Sequence, residues 1–260
     1  MAPMHNTPAK APIPDWEARY RRKRAHRGRG LADLEERVGD VCVEIDQRLA
    51  GRPRVRVLEL GCGYAIALLD LVERYGARVE VCGINLREDA GQAEILRREA
   101  KARGIDVDAL PNRRPTLVHG DVAHGLPFAD DSFDVVVSQV AWRYFRNKIG
   151  VLRDVVRVLR ADGVGLIDAD EFDARLPPEY GRLVEIWDER VLVPFADYVA
   201  HSGMSFVPVA RGRALRLVKA APFGEELVPR LEIDTQAIDP RWDGIKCVYA
   251  KGRSGQAPDL

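Results

Sequence analysis

No stretch of this chain approaches about 18 consecutive apolar residues, so no membrane-spanning helix is expected. The opening MAPMHNTPAKAPIPDW also lacks the apolar core of a signal peptide. Cysteine is sparse and scattered. Cys42, Cys62, Cys82 and Cys247 form no Cys-x-x-Cys pair, and each reads as a small buried apolar residue of a reducing, cytoplasmic compartment. His119 and His124 are five residues apart and do not share a helix face, so no metal is expected. Net charge is absent as well, with 40 basic and 40 acidic side chains. That balance hides an asymmetry, because residues 1–30 hold 8 Lys/Arg against 2 Asp/Glu and the remainder is correspondingly acidic. At 260 residues the chain can bury roughly three-quarters of its unfolded surface, so it needs no disulfide or metal to fold.

What is present is a rhythm. Residues 1–15 are rich in Pro and Ala and read as a disordered start. The basic stretch RYRRKRAHRGRG follows, with Trp16 and Tyr20 beside it. Leu34, Val38, Val41, Ile45 and Leu49 keep helical spacing after Asp33 and Glu36, a capping pair, and predict one helix to about Ala50. From Val55 to Asp168 short apolar strands alternate with helices: RVRVLEL, RVEVCGI, TLVHGD, the strand Phe133 to Ser138, and VGLIDA. Such strands, joined by long crossovers, pair in parallel, which makes a doubly wound α/β sheet. Beyond Asp168, Glu179 to His201 reads as a helix bent at Pro194, SFVPV and ALRLV read as candidate strands, and IKCVYA as a strand. No element is assigned from 219 to 244.

The stretch VLELGCGYA, Val57 to Ala65, carries the chemistry. In an open parallel sheet, ligands sit beyond the carboxyl ends of the strands, where strand order reverses. Gly61 and Gly63 allow a sharp bend and close backbone approach there. A pyrophosphate loop keeps a third glycine and aims a helix start at the anion. Here Tyr64 and Ala65 occupy that region and Glu59 stands before the glycines. A fixed negative charge repels pyrophosphate and suits a cationic nucleoside, which disfavours a dinucleotide-dependent dehydrogenase.

Glu59-Leu60-Gly61-Cys62-Gly63 resembles the first motif of class I S-adenosylmethionine-dependent methyltransferases. HGDVAHGLPFADDSFDVVVSQ is similar to that family's acidic loop and fourth strand, and LRDVVRVLRADGVGLI to its following helix, turn and fifth strand. The three segments cover about residues 54–168 in the family's order. The expected architecture is a doubly wound, mostly parallel seven-stranded sheet with an antiparallel last strand, helices on both faces and an N-terminal helical extension. The expected organisation is a basic tail over 1–30, a helix over 31–53 and a methyltransferase domain over 54–260, with a lid-like insertion around 170–205.

By resemblance, S-adenosyl-L-methionine is the cofactor and Glu59 lies near its ammonium. Gly61, Cys62 and Gly63 let the backbone approach it, and Asn85 and Leu86 sit at the ribose. Asp121 accepts from the adenine amine, with Val122 against the ring. Gln139 lies where the fourth strand ends. Two departures stand out. Asn85 replaces the usual second-strand acid, exchanging a charged hydrogen bond of about 1.5–3 kcal/mol for a neutral one of about 0.5–1.5. Ala65 replaces the third glycine, a change expected to be tolerated with helical dihedrals at that residue.

Methyl transfer from a sulfonium is an in-line displacement, so position dominates and the base stays unassigned. Gln139, Trp142, Arg143, Tyr144 and Arg146 are the candidates for contacting the acceptor, with core packing the competing reading for both aromatics. The Asn/Asp-Pro-Pro-Tyr/Phe constellation of base-methylating families is absent. Two acceptor readings are open. In the first, Arg21, Arg22, Lys23, Arg24 and Arg27 bind the phosphates of RNA, as in ribosomal RNA methylation of the antibiotic-resistance type. In the second the acceptor is a small metabolite or natural product, consistent with Asp168, Asp170, Glu171 and Asp173, acids that would repel a phosphate backbone. A non-catalytic cofactor-binding module is the minor alternative. Replacing the adenine acceptor, Asp121→Ala, should weaken cofactor binding at least tenfold by calorimetry; unchanged affinity would remove that residue from the site.

Overall fold

The computed structural model describes residues 29–86, 93–102, 104–108, 114–142, 145, 148–168, 185–188, 191–194, 204–219, 237–238 and 247–248. In chain order the elements are α1 (Leu31–Val38), α2 (Val41–Leu49), β1 (Val55–Leu60), α3 (Ile66–Tyr75), β2 (Val79–Asn85), α4 (Ala93–Ala102) and β3 (Thr116–His119). They continue through β4 (Phe133–Ser138), α5 (Lys148–Val158), β5 (Leu159–Ile167), β6 (Glu185–Asp188), β7 (Val191–Pro194), β8 (Ser205–Val209), β9 (Gly212–Val218), β10 (Ala237–Ile238) and β11 (Cys247–Val248).

Seven strands form one sheet in the order β3-β2-β1-β4-β5-β9-β8. β1 to β5 pair in parallel, while β9 runs antiparallel to both β5 and β8. This is the expected mostly parallel seven-stranded sheet with an antiparallel last strand. The chain leaves the centre at β1, fills one side through β2 and β3, and returns to the other side at β4. That reversal opens a crevice beyond the carboxyl ends of β1 and β4.

Strand alternation sends side chains to opposite faces of the sheet, and each face has its own core. Val55 and Val57 of β1 pack with Val81, Val137 and Val164 under Leu34, Val38, Ile45, Leu68 and Leu69 of the first three helices. Leu58 and Leu60 point the other way, toward Ile84, Val136, Trp142 and the α5 residues Val151 and Val155. The N-terminal helices therefore share the core of the sheet. At the opposite end from the crevice, the fully buried Asp134 accepts from the Arg56 backbone N–H at 2.7 Å and pairs with Arg52 and Arg160.

Three expectations need correction. The single helix expected over 31–53 is two helices, because Gly39 adopts φ +91° and breaks the path between Val38 and Val41. The Asp33–Glu36 capping pair does not form. Gly30 stands at the N-cap without a side-chain bond, the Leu31 N–H donates to Asp70 of α3 at 2.8 Å, and Glu35 instead accepts from the Cys42 N–H at 3.0 Å. The helix read over Glu179 to His201 contains an antiparallel hairpin, β6 with β7, registered Glu185↔Pro194 and Ile186↔Val193. Ile, Trp and Val favour extended backbone there, and Pro194 ends the strand where its missing donor is least costly.

Candidate functional site

The site grows from strand register. Glu59 on β1 is level with Val137 on β4, so Gln139, two residues further along, lies on the same face and at the same end. Its amide Nε2 donates to Glu59 Oε1 at 3.0 Å, and both side chains are buried. Each is left with one buried oxygen, Glu59 Oε2 and Gln139 Oε1, that has no hydrogen-bond partner among the described residues. Burial pushes the Glu59 carboxyl up to about 7, and the Gln139 amide partly opposes that rise. The neighbouring Cys62 thiol is also held well above its ordinary value, first by burial and then by the Glu59 charge. Among the described residues, Cys42, Cys62 and Cys82 are free and buried, and no group of three or more His, Cys, Asp or Glu could hold a metal ion.

After β1 the backbone takes positive φ at every second residue: Gly61 at +71°, Gly63 at +55° and Ala65 at +61°. A Cβ on Gly61 would collide with the Ala141 Cβ, so glycine is required there by space as well as by conformation. A Cβ on Gly63 would meet nothing within 4 Å, which marks the open side of the loop. Ala65 does not meet the condition of right-handed helical dihedrals under which that replacement is tolerated. It is the N-cap of α3 in the left-handed region, where a side chain costs about 1–2 kcal/mol.

Asn85 ends β2 buried, and its Nδ2 donates to the Gly63 carbonyl at 3.0 Å. It ties the second strand to the glycine loop, a role the sequence pattern did not suggest. Leu86 beside it is 47% exposed, the kind of apolar surface a ribose or base could cover. Its carbonyl is bonded to His119 Nε2 at 2.9 Å, which holds the ends of β2 and β3 together. Asp121 follows β3, half-buried, with His124 Nδ1 at 3.7 Å from its carboxylate. Val122 is buried within the second core cluster.

The segment after β4 is pinned at successive residues. Gln139 bonds to Glu59, the Val140 N–H donates to the Asp168 carboxylate at 3.0 Å, and Ala141 closes on Gly61. Val140 has φ +59°, an outlier for a β-branched residue that stores about 1–3 kcal/mol of strain. Trp142, a candidate for touching the acceptor, is fully buried and packs edge-on against Phe145 with ring centroids 6.0 Å apart. Its packing is that of a core residue. Arg143, Tyr144 and Arg146 lie outside the described residues, as do Arg21, Arg22, Lys23, Arg24 and Arg27 of the tail and the acids Asp170, Glu171 and Asp173.

Comparison with known proteins decides the family. Residues 58–167 match the family model described as a methyltransferase domain. A demethylmenaquinone methyltransferase of Lactobacillus johnsonii is 30% identical over 193 residues, spanning 70% of this chain and 72% of that protein. The chain belongs to the class I S-adenosylmethionine-dependent methyltransferases. A malonyl-[acyl-carrier protein] O-methyltransferase of Halorhodospira halophila is 30% identical, over 64% of this chain and 52% of that protein. A glycine/sarcosine/dimethylglycine N-methyltransferase of Actinopolyspora halophila is 32% identical, over 45% of this chain and 20% of that protein. The chain thus spans about half or less of the length of these last two relatives.

The family's cofactor is S-adenosyl-L-methionine, and the residues present fit it. The orphaned, buried oxygens of the bonded Glu59–Gln139 pair can take the N–H donors of an ammonium, and the glycine loop offers backbone with no Cβ in the way.

The buried acid also makes a prediction that needs no cofactor. Folding raises the Glu59 carboxyl from the ordinary value near 4.5 to about 7, so the folded state holds this proton more tightly than the unfolded chain. Its effect is absent below the unfolded value, grows as pH rises between the two, and is complete above about 7. Wild type should therefore lose stability relative to Glu59→Gln from pH 5 to pH 8, on the order of 3 kcal/mol at most by urea denaturation. A difference that does not change with pH would show that the carboxylate is solvated.

Proposed function

We propose that this chain transfers the methyl group of S-adenosyl-L-methionine to a small-molecule acceptor. The observation that carries the cofactor half is the Glu59–Gln139 pair, a buried carboxylate and amide with one unsatisfied oxygen each at the switch point of the sheet. In this reading Glu59 Oε2 and Gln139 Oε1 hold the ammonium. Gly61, Cys62 and Gly63 supply backbone, Asn85 and Leu86 meet the ribose, Asp121 takes the adenine amine and Val122 supports the ring.

When bound, the cofactor supplies an electrophilic methyl on a sulfonium. The chain's own residues hold it in line with the acceptor, and orientation of that kind can lower the barrier by roughly 7–11 kcal/mol. The Glu59 carboxylate must be ionised to pair with the ammonium, and the arriving positive charge favours that form.

Relatives support the small-molecule half. They are named for glycine and sarcosine, for a malonyl group on acyl-carrier protein, and for demethylmenaquinone. None of these names refers to RNA. The basic stretch RYRRKRAHRGRG is the argument for RNA, and it falls within 1–28, outside the described residues, except for Arg29 and Gly30. A basic run of this kind is more often simply solvated. Among the described residues, no helix is long and apolar enough to cross a membrane.

The test is transfer of a labelled methyl group by the full chain into a small-molecule extract and, separately, into total RNA. Label should enter the extract, and removal of residues 1–30 should leave its incorporation within twofold. Label entering RNA, lost on that truncation together with a flatter salt dependence of binding, would replace this reading with the RNA one.

A further inference from the structure

Asp168 lies just beyond β5, buried, and among the described residues it holds groups 28 to 131 positions away. Its backbone N–H donates to the Ser138 carbonyl at 2.8 Å, continuing the β4–β5 pairing past the end of the strands. Its carboxylate Oδ2 accepts the Val140 N–H at 3.0 Å and the Arg37 guanidinium at 3.3 Å. Arg37 comes from α1, 131 positions earlier, and its side chain is itself mostly buried, 18% exposed. One carboxylate thus ties the N-terminal helix to the segment after β4.

Val140 needs such a tie. A β-branched residue at φ +59° sits there only if its surroundings hold it. The residues on either side make the two contacts that shape the site: Gln139 reaches Glu59, and Ala141 closes against Gly61. If Val140 relaxed to negative φ, the backbone would turn and both contacts would move. An ionised acceptor makes a stronger hydrogen bond than a neutral one, and Arg37 orients that acceptor.

We infer that Asp168 is a positioning residue. Braced by Arg37, its carboxylate locks Val140 in the left-handed conformation and so sets Gln139 and Ala141 against the cofactor loop. The N-terminal helix α1 is by this route part of the site, through Arg37. The inference rests on the cofactor reading of Glu59 and Gln139, and its test separates the two.

Amide hydrogen exchange at Val140 reports the lock without any cofactor, and calorimetry with S-adenosyl-L-homocysteine reports its consequence. Asp168→Ala should speed Val140 exchange at least tenfold and weaken S-adenosyl-L-homocysteine binding five- to tenfold. Asp168→Asn keeps an oxygen that can accept the Val140 N–H and should bring both values back to within threefold of wild type. Should the alanine variant fail to fold, the asparagine variant and Arg37→Met decide, the latter weakening binding at least threefold. Glycine adopts positive φ unaided, so in a Val140→Gly background the Asp168→Ala loss should shrink below threefold. Exchange that is unaltered in Asp168→Ala, no rescue by asparagine, or an undiminished loss in the glycine background would overturn the inference. Wild type that does not bind S-adenosyl-L-homocysteine would defeat the cofactor reading, while the exchange data still decide whether Asp168 holds Val140.

Discussion

Glu59 is a carboxylate that parallel pairing with β2 and β4 has carried out of water at the end of the central strand. Desolvating such a group costs several kcal/mol unless opposite charge and hydrogen bonds offset it, and here one amide offsets part of it. A core built for stability alone would place an apolar residue between Leu58 and Leu60, since replacing a buried ion with a hydrophobe is often neutral or stabilising. In the proposed reading, the acid raises the energy of the empty site and a bound cation offsets that cost. Gln139 bonds to that acid, and Asn85 ties the second strand to the glycine bend that follows it.

The topology places this buried group at the end of a central strand rather than in mid-sheet. β1 and β4 are neighbours in space with β2 and β3 between them in sequence, so the loops leaving β1 and β4 diverge to opposite faces. The ends of both strands look into the gap between them. Glu59 is one residue short of the end of β1, and Gln139 is one residue past the end of β4. Neither could serve from mid-strand, where the next residues would wall it in. The opposite end of the same strands closes on a different device, with Asp134 gathering Arg52, Arg160 and a backbone donor into a satisfied cluster.

Local pattern revealed whatever depends on near neighbours. Alternating apolar strands and helices made the parallel sheet readable, and Glu59 with Gly61 and Gly63 marked the crevice. What local pattern missed is carried by contacts across long separations. The Glu59–Gln139 bond joins residues 80 apart, and Arg37–Asp168 joins residues 131 apart. Nothing in Ala65 or Val140 as residue types announces positive φ, because both conformations are imposed by surroundings against intrinsic preference. Gly39 breaks a helical spacing that continues on both sides of it, so spacing alone does not show the break. The β6–β7 hairpin was hidden because EIWD and VLVP are too short to show a period.

The central claim, that Glu59 is held out of water to receive a cation, is tested most directly by calorimetry of S-adenosyl-L-homocysteine between pH 6 and 8 in buffers of differing ionisation enthalpy. The account predicts that wild type releases up to one proton on binding near pH 6 and loses affinity on acidification below about 7. Glu59→Gln should bind at least tenfold more weakly at pH 8, with no proton release. Wild-type affinity that is flat across this range, or equal affinity in the two proteins, would contradict it.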